Sequence, residues 1–153
     1  MSLNQSLLIL IAGLLRMVAA IPTGADLNYQ TAWPYSIDRN VPGYRDSGTD
    51  HYNSLIQHLE GLKGNAILGH QSGGGWCWRY SCAYNIGVYA CNDNESYDVE
   101  VPWSFIAEYA GHVHGNCTFQ RRIDDVWTER ILGQAFHPDG WNVIVGISND
   151  KGC

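Results

Sequence analysis

Residues Gly75–Asp93 read GWCWRYSCAYNIGVYACND, and three of the chain's five cysteines, Cys77, Cys82 and Cys91, fall inside this stretch. Trp, Tyr, Val and Ile favour the pleated, half-buried surface of a strand. From Cys82 onward, Cys82, Tyr84, Ile86, Val88 and Ala90 alternate with Ala83, Asn85, Gly87, Tyr89 and Cys91, the period of extended chain. The stretch is therefore expected to form a strand or hairpin that ends at the turn NDNES, residues 92–96. Whether its cysteines are ligands, nucleophiles or staples decides the class of protein.

The N-terminus bears on that choice. The chain opens MSLNQSLLILIAGLLRMVAA. The apolar run Leu7–Leu15 is too short to span a bilayer, and Val18 and Ala20 place small residues before Ile21. This is the pattern of a secretory signal peptide over residues 1–20. No later segment is apolar enough to be a transmembrane candidate, so the processed protein is expected to be soluble and extracellular. In an oxidising compartment, clustered cysteines are usually disulfides. The spacing C-x4-C-x8-C also lacks the C-x2-C knuckle of a structural zinc site, and the six histidines complete no ligand set. No metal or other cofactor is expected. At most two bridges can form among five cysteines, so one thiol is left over.

The charge narrows the partners. Nine Lys and Arg stand against 15 Asp and Glu, a formal net charge of −6. An acidic chain without a basic cluster is not expected to bind nucleic acid. Its one dense basic spot, Arg121-Arg122, is followed at once by Asp124-Asp125 and reads as a solvated loop.

Periodicity outlines the domain. Residues 21–48 hold Pro22, Pro34 and Pro42 without sustained periodicity and read as an extended N-terminal arm. A single domain is expected over 49–153. Thr49 or Asp50 can cap a first helix, on which Leu55, Ile56, Leu59 and Leu62 share a face. HQSGGGW, residues 70–76, reads as a flexible loop. YDVEV, residues 97–101, reads as a short strand, and Pro102 starts a second helix with the apolar stripe Phe105, Ile106, Tyr109, Ala110 and Val113. TFQRRIDDVWTER, residues 118–130, reads as an exposed excursion between elements. Residues 131–148 read as strand, turn at His137–Gly140, and strand, with Trp141, Val143, Val145 and Ile147 alternating. This order implies an α+β fold: a two-layer α/β sandwich of an antiparallel sheet and two main helices, stapled by disulfides.

No catalytic constellation stands out. Glu108 and His112 are spaced i, i+4 on the second helix, with His114 on another side. Arg79, Glu100, His51, His58, His70 and His137 offer the residue types of a secreted ribonuclease, but no spacing selects a triad. Asp124-Asp125 with Glu129 read as surface acids rather than paired glycosidase carboxylates. Cys117 lacks an evident orienting group for nucleophilic work. Two sequons remain, at Asn94 and Asn116, with Asn94 in a turn as the more accessible acceptor.

The run SCAYNIGVYACND, the helix FIAEYAGHVHGNC and the ending GQAF…GWNVIVG…C resemble small secreted cysteine-containing proteins of filamentous fungi. More distantly they resemble the killer toxin of the corn smut fungus and killer-toxin-like effectors, over about residues 50–153. The resemblance implies an α/β sandwich, several disulfides and growth inhibition linked to calcium channels. It also implies Cys77–Cys91 and Cys82–Cys153 bridges. Cys117 matches a cysteine that the group pairs near the mature N-terminus; residues 21–76 here contain none, which leaves Cys117 as a free thiol. Where the group carries a functional basic residue just before the cysteine matched by Cys82, this chain has Arg79 and Tyr80.

The expected protein is thus a secreted, non-catalytic effector or killer-toxin-like binder of an extracellular protein or cell-surface target. It is monomeric unless Cys117 links a dimer. A secreted hydrolase such as a ribonuclease and a cell-wall or carbohydrate-binding module are the alternatives. For the module, exposed Trp and Tyr would stack on sugar rings.

Overall fold

The computed structural model describes residues 35–149 and Cys153. The expected signal peptide and the first part of the arm, to residue 34, lie outside the described residues. The fold is mixed α+β, with antiparallel sheets, two helices and two disulfides.

The opening stretch becomes two strands, β5 (Trp76–Ala83) and β6 (Ile86–Asn92). The alternation expected to run from Cys82 to Cys91 is interrupted: Tyr84 and Asn85 both have positive φ, 47° and 64°, and form a two-residue turn. Such a turn matches the right-handed twist of the flanking strands. Asn tolerates this conformation readily, whereas Tyr does not advertise it. The same device corrects the reading of residues 118–130. Asp124 and Asp125, φ 49° and 65°, join β8 (Thr118–Ile123) to β9 (Val126–Ile131) as a hairpin.

The last hairpin is formed by β10 (Gly133–His137) and β11 (Trp141–Ser148), with Gly140 at φ 77° in the turn between them. β11 is the centre of the largest sheet. Its order is β1-β10-β11-β6-β5, where β1 is Ser36–Asp38, and β2 (Tyr44–Arg45) pairs with the far end of β11. β3 (Ser47–Gly48) pairs with β9 to make a three-stranded sheet. The described part of the expected arm, 35–48, is therefore woven into the domain by three short strands. β4 (Asn65–Leu68), not foreseen from periodicity, pairs with β7 (Val99–Pro102).

Two helices share a core with the main sheet. In α1 (Tyr52–Gly61), Tyr52, Leu55 and Leu59 are buried. The expected side-chain cap is absent: His51 takes that position without a capping bond, and Thr49 Oγ1 donates instead to Glu129 Oε2 at 2.6 Å. In α2 (Trp103–Cys117), Ile106, Ala107, Tyr109, Ala110, Val113 and Cys117 face inward. The Arg39 guanidinium donates twice to the Asn116 carbonyl, at 2.9 and 2.5 Å, and so covers a helix-end acceptor with a positive charge. Helix and sheet residues share one core that includes Leu55, Leu59, Ile106, Val113, Val88, Ala90, Val143 and Val145. Each large aliphatic side chain there contributes roughly 1.5–3 kcal/mol by leaving water. On the reverse face, Tyr89, Cys91 and Ile144 pack with Val41 in a smaller cluster. Both faces of β6 and β11 are covered, so these strands are buried along nearly their whole length.

Cys77 is bonded to Cys91, its cross-strand neighbour, and Cys82 to Cys153. Cys117 is buried outside any disulfide.

Candidate functional site

β5 is an edge strand, and its register decides what it displays. Trp76 pairs with Asn92, Trp78 with Ala90, and an irregularity between Arg79 and Ser81 shifts the strand. Cross-strand partners share a face. Trp76 and Trp78 therefore lie on the side that carries Val88 and Ala90 into the core. Beyond the irregularity, Ser81 Oγ still reaches the Leu55 carbonyl of α1 at 3.3 Å. Trp78 finds no such cover and is 61% exposed.

The rings around Trp78 are held. Trp76 and Trp78 lie nearly parallel, centroids 6.4 Å apart and planes at 14°. A Cβ placed on Gly69 would come within 2.9 Å of Trp76 Cε2, so only glycine lets the indole lie against this backbone. The Tyr80 hydroxyl donates to the Ile67 carbonyl at 3.0 Å, and its ring meets Trp103 edge-on at 5.2 Å. Ile67 itself is 65% exposed. On the reverse face, the Cys77–Cys91 bridge locks β5 to β6 between the two tryptophans. The result is an aromatic ledge in which Trp78 is exposed, Trp76 and Tyr80 are partly buried against the core, and Ile67 lies beside Tyr80.

A buried amide supports the ledge. Asn92 Nδ2 donates to the carbonyls of Leu68 (3.2 Å) and Tyr97 (2.8 Å), while its Oδ1 accepts from the Asn94 backbone N–H and from Asn94 Nδ2, each at 2.9 Å. This ties the end of β4 and the 94–97 loop to the strand opposite Trp76. Two polar pairs border the ledge. His70 Nδ1 lies 2.6 Å from Asp98 Oδ1, and Asn65 Nδ2 donates to Glu100 Oε1 at 2.8 Å.

The residues singled out for catalysis are mostly scattered. Glu100 and His137 do meet: they line a cavity of about 140 Å³ with Asp139, Phe105 and Trp141. His137 Nδ1 accepts from the Asp139 backbone N–H at 3.1 Å, and its ring stacks on Trp141. No arginine among the described residues lines this cavity, and Arg79 stands on β5 opposite Tyr89, on the face away from the helices. His51 stacks on Tyr84, His112 on Tyr35 and His114 on Tyr52. Glu108 and His112 are 3.7 Å apart. His58 lies in the last turn of α1. Asp124 and Asp125 form a turn, and Glu129 accepts from Thr49, so these acids do not converge on a cleft. Burial pushes the Cys117 thiol pKa up, with Arg39 acting against it. Among the described residues, no group of three His, Cys, Asp or Glu is placed to hold a metal ion.

Three arginines are paired with acids. Arg45, Arg121, Arg122 and Arg130 line a concavity of about 910 Å³ together with Asp46, Asp50 and Asp124. Asp46 binds Arg121 at 2.6 Å and Arg130 at 2.7 Å, and Arg122 lies 3.0 Å from Asp125. The Arg121-Arg122 spot is thus part of a neutralised hairpin.

The sequons differ from expectation. Asn94 Nδ2 is engaged by Asn92 Oδ1 and by the carbonyls of Asp139 and Gly140, at 2.9 to 3.3 Å, so the turn residue is the less available acceptor. Asn116 is exposed and donates only to the His112 carbonyl one turn back.

Sequence reasoning did not single out the ledge. Its signal was the alternate spacing of Trp76, Trp78 and Tyr80, upstream of the alternation followed from Cys82. Comparison with known proteins adds nothing to the site: no family model, no curated protein and no solved structure matches the chain. No helix among the described residues is long and apolar enough to cross a membrane.

Proposed function

We propose that this chain is a secreted, non-catalytic binding protein of effector or killer-toxin-like type, which acts on the surface of a host or competitor cell. The observation that carries this reading is the ordered, exposed ledge around Trp78. A 61%-exposed indole, flanked by rings fixed through hydrogen bonds and a disulfide, is poorly explained by folding alone. Aromatic anchors of this kind dominate binding surfaces. Two disulfides suit an extracellular setting. The same reading takes the fold as a two-layer α/β sandwich, with α1 and α2 sharing a core with the main sheet.

The hydrolase alternative draws on the Glu100–His137 cavity, which no arginine among the described residues lines to hold a phosphate. The deciding experiment incubates the purified secreted protein with intact host and competitor cells, and separately with RNA. We expect retention on cells that Trp78→Ala reduces, and no RNA turnover. RNA turnover abolished by His137→Ala would replace this reading with the hydrolase.

A further inference from the structure

We propose that the Trp76–Trp78–Tyr80 ledge is a platform for a neutral polysaccharide chain; the inference rests on the binding function above and names its ligand. The C–H faces of a sugar ring are apolar and flat, and they pack on the π faces of indole and phenol rings. Alternate residues of a regular strand share a face, as Trp76 and Trp78 do here. Here the two indoles are within 14° of parallel, with Trp78 the more exposed of the pair.

The border of the ledge suits hydroxyl groups. Glu100 shares the outward face of the β4–β7 pair with Ile67, its cross-strand partner, and receives one bond from Asn65 on Oε1. Its Oε2 remains an acceptor for a sugar hydroxyl. The His70–Asp98 pair, next to Gly69 and hence to Trp76, offers a second planar donor and acceptor set.

Charge selects among ligands that stack on aromatics. Single-stranded nucleic acid needs a positively charged groove as well as stacking platforms. On its β4–β7 side the ledge has Asp98 and Glu100, with Asn65 and His70. Arg79 projects from the reverse face of β5, and the four-arginine concavity lies on the β8–β9 side, where Arg121 and Arg130 share Asp46 and Arg122 meets Asp125. A phosphate-bearing or uronic polymer would meet carboxylates here. A neutral glycan carries no charge for them to repel, and its hydroxyls donate to them.

Pre-organisation supports the assignment. The Gly69 contact, the Tyr80–Ile67 hydrogen bond and the Cys77–Cys91 bridge order the strand before any ligand arrives, so less ordering entropy opposes binding.

The test measures depletion of the full secreted protein from solution by insoluble chitin, cellulose, β-1,3-glucan and mannan, with intact cells in parallel. Wild type should be depleted by at least one of the four, equally at low and high salt, because no ion pair is involved. Trp78→Ala should weaken that retention roughly tenfold or more, the loss expected for a central aromatic anchor. Trp78 is exposed, so this variant should fold, and an unchanged unfolding midpoint would show that it does. Ile67→Ser provides a second surface variant with a smaller loss. No retention on any of the four glycans, or retention untouched by Trp78→Ala, overturns the inference. If cell binding still falls in Trp78→Ala while glycans are not retained, the ledge meets a protein and the binding reading survives alone. Cell binding that ignores Trp78→Ala overturns both.

Discussion

Cys117 closes α2 directly against Gly133 of β10: a Cβ built on Gly133 would overlap Cys117 Sγ and Cβ and crowd Val113 Cγ1. Gly133→Ala therefore forces the helix end away from the sheet. Overpacking of this kind costs roughly 1–3 kcal/mol. Urea unfolding should show a lower midpoint with an unchanged slope. A variant as stable as wild type would mean that α2 and β10 are not in this contact.

The same contact shields the thiol. Cys117 is 2% exposed and burial raises its pKa, so little thiolate is available to react. Alkylation should be slow in the folded protein and fast after unfolding. On a non-reducing gel of protein alkylated before lysis, a dimer band that disappears in Cys117→Ser would show instead that the sulfur reaches the surface.

The two staples should differ in weight. Cys77–Cys91 spans 14 residues and Cys82–Cys153 spans 71. Loop-closure entropy assigns about 3 kcal/mol to the first and about 4 kcal/mol to the second. Paired Cys→Ala variants compared by urea unfolding check the order, and non-reducing peptide mapping checks the pairing. A peptide linking Cys77 to Cys82 would contradict it.

Asn92 is fully buried and uses both ends of its amide in four hydrogen bonds. Asn92→Leu keeps the branching of the side chain, adds bulk, and strips partners from the Leu68 and Tyr97 carbonyls and the Asn94 N–H. Each buried group left unmatched costs about 1–3 kcal/mol. We expect a loss of at least about 2 kcal/mol and a change in tryptophan fluorescence as the ledge loosens. A stable variant with native fluorescence would show that the network is dispensable.

Tyr109 carries a buried hydroxyl without a hydrogen-bond partner, and its pKa is pushed up to about 12, first by burial and then by the nearby charge of Glu108. Tyr52 is likewise raised to about 12 by burial, with Glu60 adding to it. The folded state keeps these phenols neutral where the unfolded chain ionises, near 10. Their contribution is therefore intact below pH 10 and declines as pH rises from 10 towards 12. Tyr109→Phe should leave neutral-pH stability unchanged or slightly higher, by up to about 1 kcal/mol, because an unmatched polar group is removed. It should also flatten the alkaline decline. An equal alkaline slope in both proteins would show that Tyr109 does not titrate with unfolding.

Much of the framework was legible because it rests on local periodicity. The stripes of both helices and the β10–β11 hairpin follow from spacings of 3.6 and 2, which the chain carries without reference to distant residues. The turn at Tyr84-Asn85 was not legible, because nothing about a tyrosine announces positive φ; the pairing of β5 with β6 imposes it. Nor were β1 to β3, whose two or three residues each are too short for a period and form strands only because β10, β11 and β9 offer them partners.

The site shows the division most clearly. Trp78 and Trp141 are both aromatic residues on strands, and both stand on the helix-facing side of one sheet. Alternation assigns a side chain to a face, and that much the sequence determined. It does not say what lies beyond the strand's neighbours. Trp141 sits on β11, at the centre of the sheet beneath α2, and is 3% exposed. Trp78 sits on β5, where the sheet ends, and is 61% exposed. The order of strands, set by long-range pairing, made one tryptophan core and left the other exposed at the sheet edge.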